Sequence, residues 1–295
     1  MSDTATIDHH RLLAAPAFEQ PFEYGVRETQ LHALALGLGA DPLDTDQLRF
    51  VYDDWPEFEA FPTQSATIGW VDMFRDRRVV DPLWGLDPNA MVVGAIEIRA
   101  ERTLPAAARG MTRSRFVEAV DKGPGKAALL RARKETIAAS GVVLATLDTW
   151  AFVRGGGGFG GPTAGGPARI ALPERRADAV CELPTAPNLA LLFRLAMGDH
   201  NALHADPGHA RKVGFERPIL HGIANLGIAV HAAMRAAVGY DASRIAAAAA
   251  RMAGPVIPGD TLRSEFWHAD ASLLFRTTAV ERGQVVLDGG RIELA

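Results

Sequence analysis

Between Gly155 and Gly166 the chain reads Gly-Gly-Gly-Gly-Phe-Gly-Gly-Pro-Thr-Ala-Gly-Gly. Glycine loses more conformational freedom on ordering than any other residue, so this run cannot be the inside of a helix or strand. It reads as a linker or irregular loop, and it falls near the middle of 295 residues. A chain of that length makes one large domain or two small ones. The division predicts two halves, 1–154 and 185–295, joined by a glycine-rich linker at 155–184. Gly155-x-Gly157-x-x-Gly160 also satisfies the dinucleotide pattern after a strand-like run, Thr149 to Arg154. That fingerprint must open a helix whose N-terminus faces the pyrophosphate. The residues that follow, Gly161-Pro162-Thr163-Ala164-Gly165-Gly166-Pro167, cannot form first helical turns, so a dinucleotide site is rejected.

The halves echo one another. Leu34-Ala35-Leu36-Gly37-Leu38-Gly39-Ala40 lies against Leu195-Ala196-Met197-Gly198-Asp199-His200-Asn201, and Val120-Asp121-Lys122-Gly123 against Val280-Glu281-Arg282-Gly283. Under the first alignment Leu38, Ala40 and Leu43 stand where the second half has Asp199, Asn201 and His204. One copy is polar and the other apolar, which suggests that one half does chemistry while the other holds something greasy.

Strand-like runs at 95–100, 142–153, 272–280 and 284–287 predict an α+β fold. A helix is predicted from Gly222, with Ile223, Leu226, Val230 and Met234 at spacings of three and four. It is apolar nearly all round, which predicts burial. Ile245 to Arg251, with five successive alanines, reads as helix by propensity.

A net charge of −4 offers no basic excess for nucleic acid or an anionic membrane. The single cysteine, Cys181, rules out an intramolecular disulfide and leaves no cysteine-based metal cluster. Ile223 to Ala233 is too short and too interrupted to span a bilayer. Met1 to Asp8 has no leader character, and Glu293-Leu294-Ala295 is not a Ser-Lys-Leu type signal. The expectation is a soluble, cytoplasmic protein.

The richest segment is Gly198-Asp199-His200-Asn201-Ala202-Leu203-His204-Ala205-Asp206-Pro207-Gly208-His209. Three chemistries compete there. His200 and His204 could share a metal on one helix face, but no Glu follows the first His and the calcium-loop pattern fails at Leu203. Asp206-Pro207 reads as a helix cap with proline at the first position, and Gly214 as its stop. Asp199, Asn201 and His204 could hold a water between an acid, an amide and an imidazole. They converge only if Gly198 to Asn201 turn into a short helix. Downstream, Arg217-Pro218-Ile219-Leu220-His221-Gly222 leads into the buried helix. A glycine there either allows close packing or offers a backbone N–H to a developing oxyanion.

Gly198-Asp199-x-Asn201-x-Leu203-His204 resembles the Gly-Asp-x-Asn-Pro-Leu-His signature of the MaoC-like, 2-enoyl-CoA hydratase 2 family. Pro218-Ile219-Leu220-His221-Gly222 is similar to that family's next motif. Further similarity runs through Leu34 to Ala40, Phe58-x-x-Phe61-Pro62-Thr63, Asp121-Lys122-Gly123-x-Gly125, Phe152 to Gly155 and Pro255 to Leu262. It covers most of the chain and looks like the two-repeat form, as in the hydratase unit of peroxisomal multifunctional enzyme type 2.

The resemblance implies a double hot-dog fold, two antiparallel sheets each wrapped round a helix and paired edge to edge. It implies hydration of a trans-2-enoyl-CoA to a (3R)-3-hydroxyacyl-CoA, without cofactor or metal. Asp199 and His204 become the acid–base pair, Asn201 positions water, and the Gly222 N–H receives the thioester oxygen. The first half would bind the acyl tail. Arg251, Lys212 and Arg217 are candidates for the CoA phosphates, and a homodimer is expected. It also makes Ile245 to Met252 a strand, against propensity.

Three departures stand out. Ala202 replaces the signature proline, Val93-Gly94 replaces a His-Gly, and Trp70 to Trp84 is bulky and charged, which suggests a short or unusual acyl group. The alternatives are a branched or dicarboxylic, mesaconyl-like substrate, a hot-dog thioesterase, and an acyl-CoA-binding protein without catalysis.

Overall fold

In the computed structural model, which describes residues 6–295, the strand-like segments pair into one continuous sheet. The first half contributes helices α1 (His9–Ala14), α2 (Val26–Leu34) and α3 (Leu48–Val51). Its strands are β1 (Phe18–Tyr24), β2 (Met91–Ala100), β3 (Ala108–Asp121), β4 (Ala128–Ala138) and β5 (Val143–Val153). The second half contributes α4 (Leu189–Met197), α5 (Pro207–Lys212) and α6 (Gly222–Ala233). Its strands are β6 (Ala179–Pro184), β7 (Ile245–Met252), β8 (Thr261–Ala269), β9 (Ser272–Ala279) and β10 (Gln284–Leu294). The order is β1-β3-β4-β5-β2-β7-β10-β9-β8-β6 and every pairing is antiparallel. Read from either edge inward, each half has the same strand order. The halves meet at β2 and β7, from Ala95 opposite Arg251 to Arg99 opposite Ala247. This is the double hot-dog arrangement, with the two sheets fused along their shared edge.

The alanine run is a strand, as the resemblance implied. Its place at the middle of the sheet overrides helix propensity, because β7 bonds to β2 on one side and β10 on the other. Alanines 248 and 250 join Ile96, Ile98 and α6 in one core that spans both halves.

Every residue of α6 after Gly222 is buried, as expected of a helix apolar on all faces. Gly227 explains how the first half reaches it. A Cβ there would lie 2.7 Å from a Leu36 methyl, so the glycine admits that side chain against the helix backbone.

The first half has no counterpart of α6. Its concave side carries an irregular segment with single turns at Gln64–Ala66, Pro82–Trp84 and Pro88–Ala90. Thus, among the described residues, only the second half wraps round a long helix. The carbonyls of the first turn are satisfied by a buried lysine. Lys134 Nζ donates to Ser65 O at 2.9 Å, Ala66 O at 3.1 Å and Ile68 O at 2.7 Å. A longer helix would have met that need with its own N–H groups.

The echo around Leu34 and Leu195 joins equivalent places, the ends of α2 and α4. At the same offset His32 stands opposite Phe193, and these two rings face each other 6.0 Å apart. The echo of Val120–Gly123 with Val280–Gly283 does not hold. The first is the β3–β4 turn and the second the β9–β10 turn, which belong to different hairpins.

The segment 155–184 is not linker throughout, since its last six residues form edge strand β6 on β8. No helix follows the glycine pattern, and its N–H groups bind a carboxylate of the chain itself. Gly158 N donates to Asp121 Oδ1 at 2.7 Å and Gly160 N to Oδ2 at 2.8 Å. Both glycines have φ near the left-handed region, +98° and +77°, which lets the loop present its amides this way. The leader reading at the N-terminus falls largely on residues outside those described.

Two buried histidines tie helices to the irregular segments. His32 Nε2 lies 3.1 Å from Thr63 Oγ1, and His231 Nε2 lies 2.9 Å from Tyr240 Oη. Burial brings His32 down to about 3 and, as the leading cause, His231 down to about 4. The unfolded chain takes up protons at both below about pH 6.5, whereas the folded chain does not, so acid favours unfolding. Their contribution is complete above that pH. It falls by about 1.4 kcal/mol per pH unit for each histidine as the pH drops through the window. The urea midpoint is therefore expected to decline steadily from about pH 6.5 to about 4.5, and a constant midpoint would contradict the assignment.

Candidate active site

The local sequence brings the polar residues together through two caps. Helix α4 ends at Gly198, whose φ of +68° is left-handed and whose N–H reaches Arg194 O at 2.9 Å. The chain then reverses. Asn201 caps a single 3-10 turn, Ala202–His204, by accepting from Leu203 N at 3.1 Å. Ala202 starts that turn where the family signature has proline. Asp206 caps α5 through Gly208 N at 2.7 Å, with Pro207 at the first position, so its role is structural as predicted.

The tight turn closes the distance that a continuous helix would leave between Asp199 and His204. His204 Nε2 stands 4.0 Å from Asp199 Oδ2. A third residue joins them: His221 Nε2 lies 3.3 Å from the same oxygen, and the two imidazoles stack with centroids 3.6 Å apart. Asp199 is only 6% exposed and His221 3%, so water screens this group little. His221 had no role in the sequence reading. The available signal was its place directly before Gly222 in the second motif.

The hydrogen bonds assign proton positions. His204 Nδ1–H donates to Ile219 O at 2.8 Å, which leaves Nε2 with a bare lone pair facing Asp199. Asp199 Oδ1 accepts from Asn201 N at 3.1 Å. Burial alone would push the Asp199 carboxyl up. The His221 contact and charge, the Asn201 N–H and His204 outweigh it and bring it down to about 2. Burial foremost, with His221 beside it, brings His204 down to about 3 against the pull of Ile219 O and Asp199. His221 is also lowered, by burial, with Asp199 opposing. At neutral pH the group is one carboxylate and two neutral imidazoles, two proton acceptors facing each other with no acid between them.

Gly222 is the first residue of α6, and the first bond of that helix runs from Asn225 N to His221 O. Its N–H has no partner within the helix and lies at the positive end of the helix dipole. The packing reading of this glycine also holds. A Cβ would meet Met252 Sδ at 3.2 Å and Ile96 Cδ1 at 3.3 Å.

A cleft of about 400 Å³ opens beside the group, lined by Gly198 to Asn201 and by Trp70, Val71, Asp72, Arg75, Asp76 and Arg78. Trp70 and Val71 also line a void of about 20 Å³ on the first half's concave face, with Phe74, Met73 and Leu147 around it. The segment from Trp70 to Arg78 thus forms one wall of the cleft, and little space lies behind it.

The phosphate candidates separate. Met252 points at Gly222, so its neighbour Arg251 faces the opposite side of the sheet. There Arg251 lines a groove with Glu97, Arg131 and Trp150, and it cannot join the catalytic face. Lys212 and Arg217 are exposed on the segment between the 3-10 turn and α6. His200, weighed with His204 as a metal pair, is exposed and stands apart from the buried group. Asp199, His204 and His221 lie close enough for a metal, with ligand atoms within 4.8 Å. An imidazole gives its lone pair in the ring plane, however, and stacked rings direct theirs side by side rather than to one point.

Comparison with known proteins matches two segments of the chain to family models. Residues 22–155 match the MFE-2 hydratase 2 N-terminal domain and residues 170–289 the MaoC like domain. Enoyl-CoA hydratase 2, peroxisomal, of Arabidopsis thaliana is 33% identical over 294 residues, 94% of this chain and 93% of its own. Peroxisomal multifunctional enzyme type 2 of Drosophila melanogaster is 33% identical over 288 residues, and the chain spans 47% of it. The crystal structure of a MaoC-like dehydratase from Phytophthora capsici superposes with a TM-score of 0.85 at 28% identity. It covers 98% of this chain and 99% of its own.

The proton assignment is checked by 15N NMR of the histidines. Near pH 5.5, below the ordinary imidazole value of about 6.5, His204 is expected to be neutral with its proton on Nδ1. A doubly protonated His204 at that pH would contradict the geometry.

Proposed function

The chain belongs to the MaoC-like, hydratase 2 family, and on that premise we propose that it adds water to a trans-2-enoyl-CoA to give the (3R)-3-hydroxyacyl-CoA. The observation that carries the reading is the buried approach of Asp199 and His204 beside the first turn of α6. Asn201 Oδ1 is spent on Leu203 N, so its Nδ2–H2 is the group left to hold the water. His204 Nε2 takes one proton as the water oxygen bonds to C3. The C2=C3 electrons move toward the thioester oxygen, where the Gly222 N–H supports the developing charge. Asp199 steadies the imidazolium that results. The carbonyl then re-forms and C2 takes a proton from His204 Nε2 on the face that received the hydroxyl. Because neither Asp199 nor His204 carries a spare proton at rest, the proton delivered is the one the water released.

The same reading divides the chain into a tail-side repeat, 1–154, and a catalytic repeat, 185–295. Lys212 and Arg217 are the cations we assign to the CoA phosphates. The small void behind Trp70 favours a short acyl group. Arg75 and Arg78 in the cleft, and the unpartnered indole N–H of Trp70, favour a second reading in which the acyl group is dicarboxylic. We also propose a cytoplasmic homodimer. Cys181 is free and buried, which suits a reducing compartment, and Leu191 and Leu195 are exposed on one face of α4. Among the described residues no helix is long and apolar enough to cross a membrane. Sedimentation at twice the 31.5 kDa chain mass, and recovery in the soluble cell fraction, are the checks.

Purified protein mixed with enoyl-CoAs from crotonyl to long-chain, plus mesaconyl-CoA, is expected to remove the conjugated absorbance and yield the 3R product without added metal or nucleotide. Asp199→Asn is expected to lower kcat at least about 100-fold while retaining CoA-ester binding. With His204 lowered to about 3, the acid limb of kcat/KM is expected below about pH 4 rather than near neutrality. Unchanged turnover in the variant sinks the assignment. Free CoA in place of hydroxyacyl product indicates a thioesterase, and neither product indicates a binding protein.

A further inference from the structure

The hydration scheme leaves one polar ring of the site without a task. His221 is 3% exposed, and neither ring nitrogen forms an aligned hydrogen bond. Burying such a ring is unfavourable unless it finds a partner. A phenylalanine would fill the same space beside Phe193, whose centroid is 5.2 Å away, without that cost. Two contacts distinguish the imidazole. Its face lies against the His204 ring at 3.6 Å with planes 23° apart, and its Nε2 lies 3.3 Å from Asp199 Oδ2. A neutral ring carries one N–H, and Nε2 is the nitrogen within reach of the carboxylate.

We propose that His221 is a positioning residue for the acid–base pair, fixing Asp199 through Nε2–H and His204 through ring stacking. This rests on the hydration reading for its kinetic consequences but not for the pairing itself. Asp199 Oδ1 is held by the Asn201 amide, and Oδ2 has His221 and His204 before it. Without the His221 donor the carboxylate loses the contact that holds Oδ2 and is free to rotate. It also sits near Asp72, a half-buried carboxyl with which it interacts unfavourably. Arg75, which pairs with Asp72, and Arg194 of α4 are the cations that act on the two imidazoles. Among the described residues no Lys or Arg pairs with Oδ2 to replace the donor. Removing the donor therefore leaves Asp199 buried and poorly satisfied, which favours its protonated form. Removing the ring frees the His204 imidazole on the side away from Ile219.

The test separates donor from ring. His221→Phe keeps an aromatic face and loses the N–H, while His221→Gln places an amide N–H near the Nε2 position. The Phe variant is expected to lose at least about tenfold in kcat with KM within about threefold. Its acid limb in kcat/KM is expected to rise by at least about one pH unit. The Gln variant is expected to recover most of the kcat and the native acid limb. A Phe variant with native kcat and pH profile, or one changed only in KM, overturns the proposal. In the unaltered protein, 15N NMR is expected to find the His221 proton on Nε2 and to see that signal move in Asp199→Asn. A proton on Nδ1, or an unmoved signal, overturns the proposal whatever the variants do. If the native protein hydrates no enoyl-CoA, the hydration reading fails separately and the NMR result alone decides the pairing.

Discussion

Helix α6 is apolar on every face, and a helix of that kind is stable only when it is enclosed. One half of this chain cannot enclose it. The second half supplies β7, β8 and β10 beneath it, while β2 and Leu36 from the first half close the remaining sides. The seam between β2 and β7 and the shared core follow from this. So does the position of the site, because the helix has one end where backbone N–H groups are unpaired, and Gly222 stands there with His221 before it. Small residues make the enclosure tight. Gly227 admits Leu36, Gly222 admits Met252 and Ile96, and the alanines of β7 leave room for the helix above them.

The halves share a strand order and differ in what lies on it. Where the second half has α6, the first has an irregular segment whose first turn is held through its carbonyls by the Lys134 ammonium. Burial pushes that lysine down to about 7, while three carbonyls satisfy the donors of its charged form. Where the second half has Asp199, Asn201 and His204, the first has Leu38, Ala40 and Leu43. At the place matching Phe193 the first half buries His32, and Thr63 and Thr67 satisfy its ring. The second half buries Asp199 beside two imidazoles of which one, His221, has no aligned partner. A satisfied network holds structure, whereas groups left facing one another are available to a substrate and a water.

Short-range chemistry accounts for the parts of the site that could be read along the chain. The left-handed Gly198, the Asn201 cap, the Asp206–Pro207 helix start and the enclosed helix each depend on a few neighbouring residues. The motif spacing was legible for the same reason, since Asp199, Asn201 and His204 lie within one turn. Where a reading needed the register of distant segments, it failed or stayed open. The second internal echo joined different hairpins, because a turn such as Asp-Lys-Gly has no memory of which strands it connects. The alanine run has helix propensity and becomes a strand only because two other strands bond to it.

Composition and local pattern were enough to determine an α+β chain in two halves, a buried helix, and one polar segment poised before it. Tertiary structure decided that Arg251 faces away from the site, because a strand's two faces are distinguished only by what packs on them. It decided that the glycine run would bind Asp121 of its own chain, through amides whose partner lies in another strand. It also decided that His221 would stack on His204 and face Asp199. Those contacts bring together a helix end and an earlier turn, and their geometry is set by how α6 docks on the sheet. Docking depends on the summed packing of both halves, which no local run of residues specifies.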